Sequence, residues 1–111
     1  MARRALVTGA TGFIGSRLAA ALADDGWEVR CLVRDSSRAR ALADRGLELR
    51  EGDVLDAESL RGVGEGIEVA YYLAHSMAGG ERGFAERDRQ AARDFAQAAA
   101  QAGVARIVYL G

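Results

Sequence analysis

Three glycines, Gly9, Gly12 and Gly15, recur at a spacing of three residues near the start of the chain. They lie between a short apolar run, residues 5–7, and an amphipathic run that begins at Phe13. A strand that ends in such a turn and leads into a helix presents unpaired N–H groups at the helix N-terminus, where the helix dipole also favours negative charge. Gly9 permits the turn, Gly12 lets an anion approach the backbone, and Gly15 allows the helix to pack closely on the strand. The expected contacts of a bound phosphate group are Gly9, Thr11, Gly12, Phe13, Ile14 and Gly15.

The elements that must position this loop follow from the apolar pattern. Besides residues 5–8, strand-like runs occupy residues 27–33, 47–50, 67–74 and 106–110. Helical patterns lie between them, in residues 13–25, 37–45, 59–61 and 81–102, and the first carries an apolar stripe of Ile14, Leu18, Ala21 and Leu22. Alternation of strands and helices is typical of an α/β parallel sheet with helices on both faces. Right-handed crossovers favour a doubly wound sheet of five strands in the order 3-2-1-4-5.

Length and composition indicate one soluble globular domain over residues 1–111, with a formal net charge of −1. This charge does not favour nucleic acid or a membrane surface as a partner. The single cysteine, Cys31, lies in an apolar run and is expected to be a buried reduced thiol. No apolar run has the length of a signal-peptide core or a membrane span, so a cytoplasmic location is expected. No metal site is predicted.

Four segments together carry a family resemblance: "VTGATGFIG", "LVRD", "EGDVLD" and "VAYYLAHSM". They resemble the extended or atypical short-chain dehydrogenase/reductase superfamily, and within it the NmrA-like and nucleoside-sugar epimerase-like NAD(P)-binding proteins. The resemblance runs from Ala5 to Gly111. It implies a Rossmann-type fold whose glycine loop binds the pyrophosphate of a dinucleotide, and it says little about the substrate.

The end of the second strand bears on the choice of dinucleotide. An acidic residue there, for which Asp35 is the candidate, would bind ribose hydroxyls and favour NAD, whereas an arginine would pair with the 2′-phosphate of NADP. The resemblance implies that Arg34 and the later Arg38 hold that phosphate. We therefore expect NADP(H), with NAD(H) as the alternative.

Further contacts are expected at the ends of the third and fourth strands. The resemblance implies that the Asp53 carboxylate accepts a hydrogen bond from the adenine amino group while the Val54 backbone contacts the ring; a helix cap is the alternative for Asp53 and the expected role of Asp56. The crevice between the first and fourth strands is where open α/β sheets bind ligands. Residues after the fourth strand should line it: Leu73, Ala74, His75 and Ser76.

The sequence contains candidate residues for binding a dinucleotide but lacks a residue pair for catalysis. In the superfamily that the chain resembles, a tyrosine and a lysine four residues later carry proton transfer, and this chain contains no lysine. Core packing is the expected role of Tyr71, Tyr72 and Tyr109. We therefore predict no catalytic residue in the chain. We interpret the chain as the dinucleotide-binding part of an oxidoreductase or epimerase, without the substrate-binding part. The alternative is an NmrA-like regulatory protein that senses NADP(H).

The last predicted strand, residues 106–110, has no helix after it in this sequence. A parallel strand normally has both faces covered. We therefore expect either a further segment that covers this strand or association of the chain with another copy of itself.

Overall fold

A computed structural model of the chain describes residues 3–73 and 82–110. Five parallel strands form one sheet, and helices or 3₁₀ turns connect them. The strands are β1 (Arg4–Thr8), β2 (Glu28–Val33), β3 (Glu48–Glu51), β4 (Val69–Leu73) and β5 (Arg106–Leu110). The α-helices are α1 (Phe13–Asp24), α2 (Arg40–Asp44) and α3 (Arg82–Gln101), and 3₁₀ turns span Ser36–Arg38 and Ala57–Leu60.

The strand order is β3-β2-β1-β4-β5, and every pairing is parallel. This confirms the predicted doubly wound topology. The order reverses between β1 and β4, the two strands that pair at the centre, with Val7 opposite Tyr71 in register. A crevice at their carboxyl ends follows from this topology.

Two cores cover the two faces of the sheet. One joins inward side chains of β1 and β2 to α1 and α2, with Val7, Ala19 and Leu42 among its members. The other joins the opposite face to α3, with Leu6 and Phe95 fully buried in it. The three-layer arrangement is therefore the one that the sequence predicts.

The apolar stripe of α1 differs from the prediction. Gly15, Ala19 and Leu22 are the buried residues of this helix, whereas Ile14 is 64% exposed and Ala21 is also exposed. Close packing of the Gly15 backbone on the preceding turn rotates the helix so that small residues face the sheet. Alanines occur on both sides of this helix, so hydropathy alone could not identify the buried face.

Two other expectations need correction. The helix predicted over residues 37–45 is divided into a 3₁₀ turn and the short α2, because the chain changes direction at Ala39. Core packing does not account for Tyr109, whose side chain lies on the edge strand β5 and is 55% exposed. Its ring contacts that of Tyr72 on the neighbouring strand, at a centroid distance of 5.8 Å.

No helix within residues 3–73 and 82–110 is both long enough and apolar enough to cross a bilayer.

Candidate functional site

The turn after β1 is built from glycine. Gly9 has a φ of +64°, a left-handed conformation that favours glycine, and its carbonyl oxygen accepts a hydrogen bond from the Gly12 N–H at 3.0 Å. Helix α1 begins at the next residue. Among the residues that the structure describes, no side chain caps its N-terminus, and no acidic residue lies in its first turn. The first N–H groups of α1 therefore lack a side-chain acceptor and suit an anion such as a pyrophosphate.

Gly15 holds α1 against this turn. A β-carbon at position 15 would lie 1.9 Å from the carbonyl oxygen of Gly9 and 2.9 Å from Cδ1 of Leu73. At Gly12 a β-carbon would lie 3.3 Å from the same carbonyl oxygen, a much milder approach. Gly15 is thus required by packing within the chain, and Gly12 borders open space.

Thr8 joins β1 to β4 at the point where the two strands separate. Its hydroxyl donates to the carbonyl oxygen of Tyr71 at 3.3 Å and accepts from the N–H of Leu73 at 3.0 Å. Thr8 is buried, so these bonds satisfy its only polar side-chain atom. The hydroxyl therefore links the ends of β1 and β4 next to Gly9.

A cavity of about 290 Å³ opens at the carboxyl edge of the sheet, on the face that α3 covers. It brings together five residues that the sequence predicted for the site: Gly9, Arg34, Asp53, Val54 and Leu73. Other lining residues that the sequence analysis did not assign to the site are Thr8, Leu32, Gly52, Leu55, Tyr72, Arg87, Asp88 and Ala91. The cavity thus lies between the ends of four strands and α3, and its lining combines apolar side chains with charged groups of both signs.

The remaining predicted site residues are placed elsewhere. Four of them are exposed and lie in the glycine loop or the first turn of α1: Thr11, Gly12, Phe13 and Ile14. The Phe13 ring is 74% exposed, with the Arg17 guanidinium 3.9 Å from its centroid. Ala74 and His75, together with Ser76, lie outside the described residues.

Arg34 and Arg38, the two arginines expected to hold the 2′-phosphate, lie before and at the end of the 3₁₀ turn that follows β2. Arg34 lines the cavity, whereas Arg38 does not, and its guanidinium lies 3.8 Å from a carboxylate oxygen of Asp35. Asp35 caps the 3₁₀ turn, since it accepts from the hydroxyl of Ser37 at 2.6 Å and from its N–H at 3.0 Å. These two hydrogen bonds, with a smaller contribution from Arg38, lower the pKa of Asp35. Asp35 is thus an ionised structural cap, and Arg34 is the residue after β2 that brings a positive charge to the cavity.

One carboxylate oxygen of Asp53 accepts a hydrogen bond from within the chain. Its Oδ1 accepts from the Leu55 N–H at 2.9 Å and so closes a turn at the end of β3. None of the described residues donates to Oδ2, which leaves this oxygen for a ligand at the cavity wall. Asp56 occupies the cap position of the next 3₁₀ turn, but its side chain makes no cap hydrogen bond; the Ser59 hydroxyl bonds the Asp56 carbonyl instead.

Arg50 stabilises the loop that carries Asp53. Its guanidinium donates to the carbonyl oxygens of Glu51, Ser59 and Arg61 at 2.5 Å, 3.0 Å and 2.6 Å. The planar group with several fixed donors suits such multiple contacts. Sequence reasoning missed this role because the three acceptors are backbone atoms that leave no pattern of side chains.

Tyr72 and Arg87 are further cavity residues that the sequence analysis did not assign to the site. Burial, and after it the negative charge of Asp88, raises the pKa of Tyr72, which keeps the phenol protonated near neutral pH. Arg87 comes four residues before the buried Ala91 on α3, and this spacing was the available signal that it lies on the sheet side of the helix. Within the described part of the chain, no cluster of three or more histidine, cysteine or acidic side chains could hold a metal ion.

Comparison with known proteins agrees with this geometry. A family model described as NAD(P)H-binding matches residues 9–111. The chain is 38% identical to the ceramide reductase of Caulobacter vibrioides over 98 residues, which is 87% of this chain and 31% of that protein.

Two solved structures show the same fold. The triphenylmethane reductase of Citrobacter sp., complexed with NADP(H), has a TM-score of 0.80 and 28% identity over 97% of this chain and 37% of that one. An NADPH-dependent quinone oxidoreductase from Escherichia coli, complexed with NADPH, has a TM-score of 0.80 and 28% identity over 95% of this chain and 35% of that one. The chain thus spans about a third of the length of these proteins.

Proposed function

Since the chain belongs to the NAD(P)H-binding family, within the short-chain dehydrogenase/reductase superfamily, we propose that it binds NADP(H) in preference to NAD(H). The observation that carries this preference is the position of Arg34, which lines the cavity while Asp35 serves as a cap. An arginine pairs with a phosphate through two parallel hydrogen bonds, and an acidic residue at that place would repel it.

Different residues of the site bind different parts of the dinucleotide. The N-terminus of α1 and the Gly9 turn hold the pyrophosphate through backbone N–H groups. Arg34 pairs with the 2′-phosphate, Oδ2 of Asp53 accepts from the adenine amino group, and the Val54 backbone contacts the ring. The apolar walls around Leu32 and Leu73 exclude water from the middle of the cavity, which strengthens these polar contacts.

We further propose that the chain is the dinucleotide-binding part of an oxidoreductase. A bound NADPH supplies a hydride from its nicotinamide ring, and the proteins compared above carry the names of two reductases and a quinone oxidoreductase. The chain contains no lysine, so the Tyr-x-x-x-Lys pair of the superfamily is not formed from these 111 residues. We therefore infer that the chain by itself binds NADPH without turnover.

The test is a calorimetric titration of the 111-residue chain with NADPH and with NADH. We expect NADPH to bind more tightly, and Arg34→Ala to weaken NADPH binding by about tenfold or more while NADH binding changes little. Arg40→Ala is the matched control, because Arg40 is exposed on α2 and does not line the cavity. Equal affinities for the two dinucleotides in the unaltered chain would contradict the assignment of Arg34.

A further inference from the structure

An arginine continues the face of α3 that packs on the sheet. Phe95 and Ala91 are buried against the sheet, and Arg87 continues their spacing of four residues toward the helix N-terminus. Because α3 connects two parallel strands, its N-terminal turns lie at the carboxyl edge of the sheet. Arg87 therefore lies where the helix passes over the cavity, and it lines that cavity.

The opposite wall of the cavity is apolar. Val54 and Leu55 follow β3 and line it together with Arg87, and Leu55 is 60% exposed. An adjoining groove of about 310 Å³ is lined by the same three residues, with Ala91, Gln90 and Asp94. Arg87, Val54 and Leu55 thus line both the cavity and the adjoining groove, so a planar cation and two aliphatic side chains border the same space, termed the slot.

The Arg87 guanidinium makes no salt bridge or hydrogen bond with the described residues, in contrast to Arg30, Arg50 and Arg61. Gln90 and Asp94, the other polar residues that line the groove, form a hydrogen bond with each other at 2.9 Å. The planar cation at this slot is therefore available to a flat ligand rather than occupied by the protein.

We propose that Arg87 determines adenine binding, with its guanidinium stacked on one face of the adenine ring and Val54 and Leu55 against the other. This rests on the proposed function, because Asp53 and Val54 place the adenine beside this slot. A guanidinium is planar and weakly hydrated and stacks on aromatic rings, whereas the ammonium of lysine is a compact point charge. The contact is to the base, so it is common to NADPH and NADH.

The experiment measures dissociation constants of NADPH, NADH and reduced nicotinamide mononucleotide for the unaltered chain and for the variants Arg87→Ala, Arg87→Lys and Arg93→Ala. We expect Arg87→Ala to weaken both dinucleotides by the same factor, about tenfold, and to leave the mononucleotide, which lacks adenine, unchanged. Arg87→Lys should behave like the alanine variant, because lysine keeps the positive charge but lacks the planar guanidinium group. Arg93→Ala is the control, since Arg93 is exposed on the same helix and does not line the cavity.

Other results overturn the proposal. Loss of NADPH binding alone, with recovery in Arg87→Lys, would show that Arg87 pairs with the 2′-phosphate. Unchanged affinities in folded Arg87→Ala, verified by circular dichroism, would show that it does not contact the ligand. If the unaltered chain binds neither dinucleotide, the proposed function itself fails, which is distinguishable from an effect confined to the Arg87 variants.

Discussion

Gly9 and Gly15 approach each other so closely that a β-carbon on Gly15 would lie 1.9 Å from the carbonyl oxygen of Gly9. The same carbonyl accepts the Gly12 N–H, so the turn has no room to move without losing that hydrogen bond. The first turn of α1 and the end of β1 are thus held as one unit, and this unit places the free N–H groups of the helix.

Gly15→Ala tests whether Gly15 is required for the packing of α1 against β1. The added methyl group must push α1 away from β1, and overpacking of this kind costs about 1–3 kcal/mol of unfolding free energy. For a chain of this size we expect a fall in Tm of about 10 °C, together with loss of NADPH affinity. Differential scanning calorimetry measures the first and titration the second.

Gly12→Ala is the matched comparison. Its β-carbon would lie 3.3 Å from the Gly9 carbonyl oxygen, and Gly12 has a φ of −80°, which alanine adopts readily. We expect a smaller fall in Tm than in Gly15→Ala, because the Gly9 carbonyl must shift by only a few tenths of an ångström. NADPH affinity should also fall, because the methyl group occupies the approach of the phosphate. A large loss of stability in this variant would show that Gly12 too is required by packing.

Asp53→Asn, titrated with an altered base, tests the adenine contact. The asparagine carbonyl can replace Oδ1 as the acceptor of the Leu55 N–H, so its amide NH₂ would occupy the place of Oδ2. We expect weaker binding of NADPH and tighter binding of reduced nicotinamide hypoxanthine dinucleotide phosphate, whose base carries a carbonyl where adenine carries an amino group. Parallel losses for both ligands would contradict a hydrogen bond to that amino group.

Arg50→Ala should destabilise the loop from Gly52 to Arg61. The Ser59 carbonyl oxygen that Arg50 bonds is partly buried, whereas those of Glu51 and Arg61 are exposed. Loss of the charged donor to these three oxygens costs about 1–3 kcal/mol. Arg61→Ala is the control, since it removes an exposed pair with Glu58 that contributes about 0–1 kcal/mol. Urea unfolding measures both variants, and equal midpoints would exclude the structural role of Arg50.

Cys31 should be unreactive in the folded chain. Burial, and after it the negative charge of Glu48, raises the pKa of its thiol to about 11, from an ordinary value of 9.0. At pH 8 we therefore expect iodoacetamide to modify it about 100-fold more slowly than in urea. Rapid alkylation without denaturant would show that the thiol is accessible.

The same shift predicts a pH dependence of stability. Between about pH 9 and 11 the unfolded thiol loses its proton while the folded thiol keeps it, so the folded state binds more protons and the unfolding free energy falls as pH rises. Cys31→Ala should reduce this fall, which urea unfolding at pH 8 and pH 10 measures. An identical pH dependence in the variant would exclude Cys31 as its source.

The sequence predicted the sheet order because strands and helices alternate and the crossover rule leaves few arrangements. It was less informative about which way each helix faces. In α1 the alanines on both sides carry the same hydropathy, and only the contact of Gly15 with Gly9 decides that Ala19 is buried and Ile14 exposed. In β5 an apolar pattern could not show that Tyr109 would be exposed at the edge of the sheet.

For the candidate site, the sequence by itself determined the local features: the glycine loop, Arg34 after β2 and Asp53 after β3. These are readable because each depends on a short segment whose conformation follows from neighbouring residues. Only the tertiary structure decided that Arg34 shares a cavity with Asp53 while Arg38 pairs with Asp35, and that Arg87 reaches that cavity from α3. The physical reason is that such contacts join residues far apart in the chain, and their distances are set by the packing of sheet and helices rather than by any local pattern.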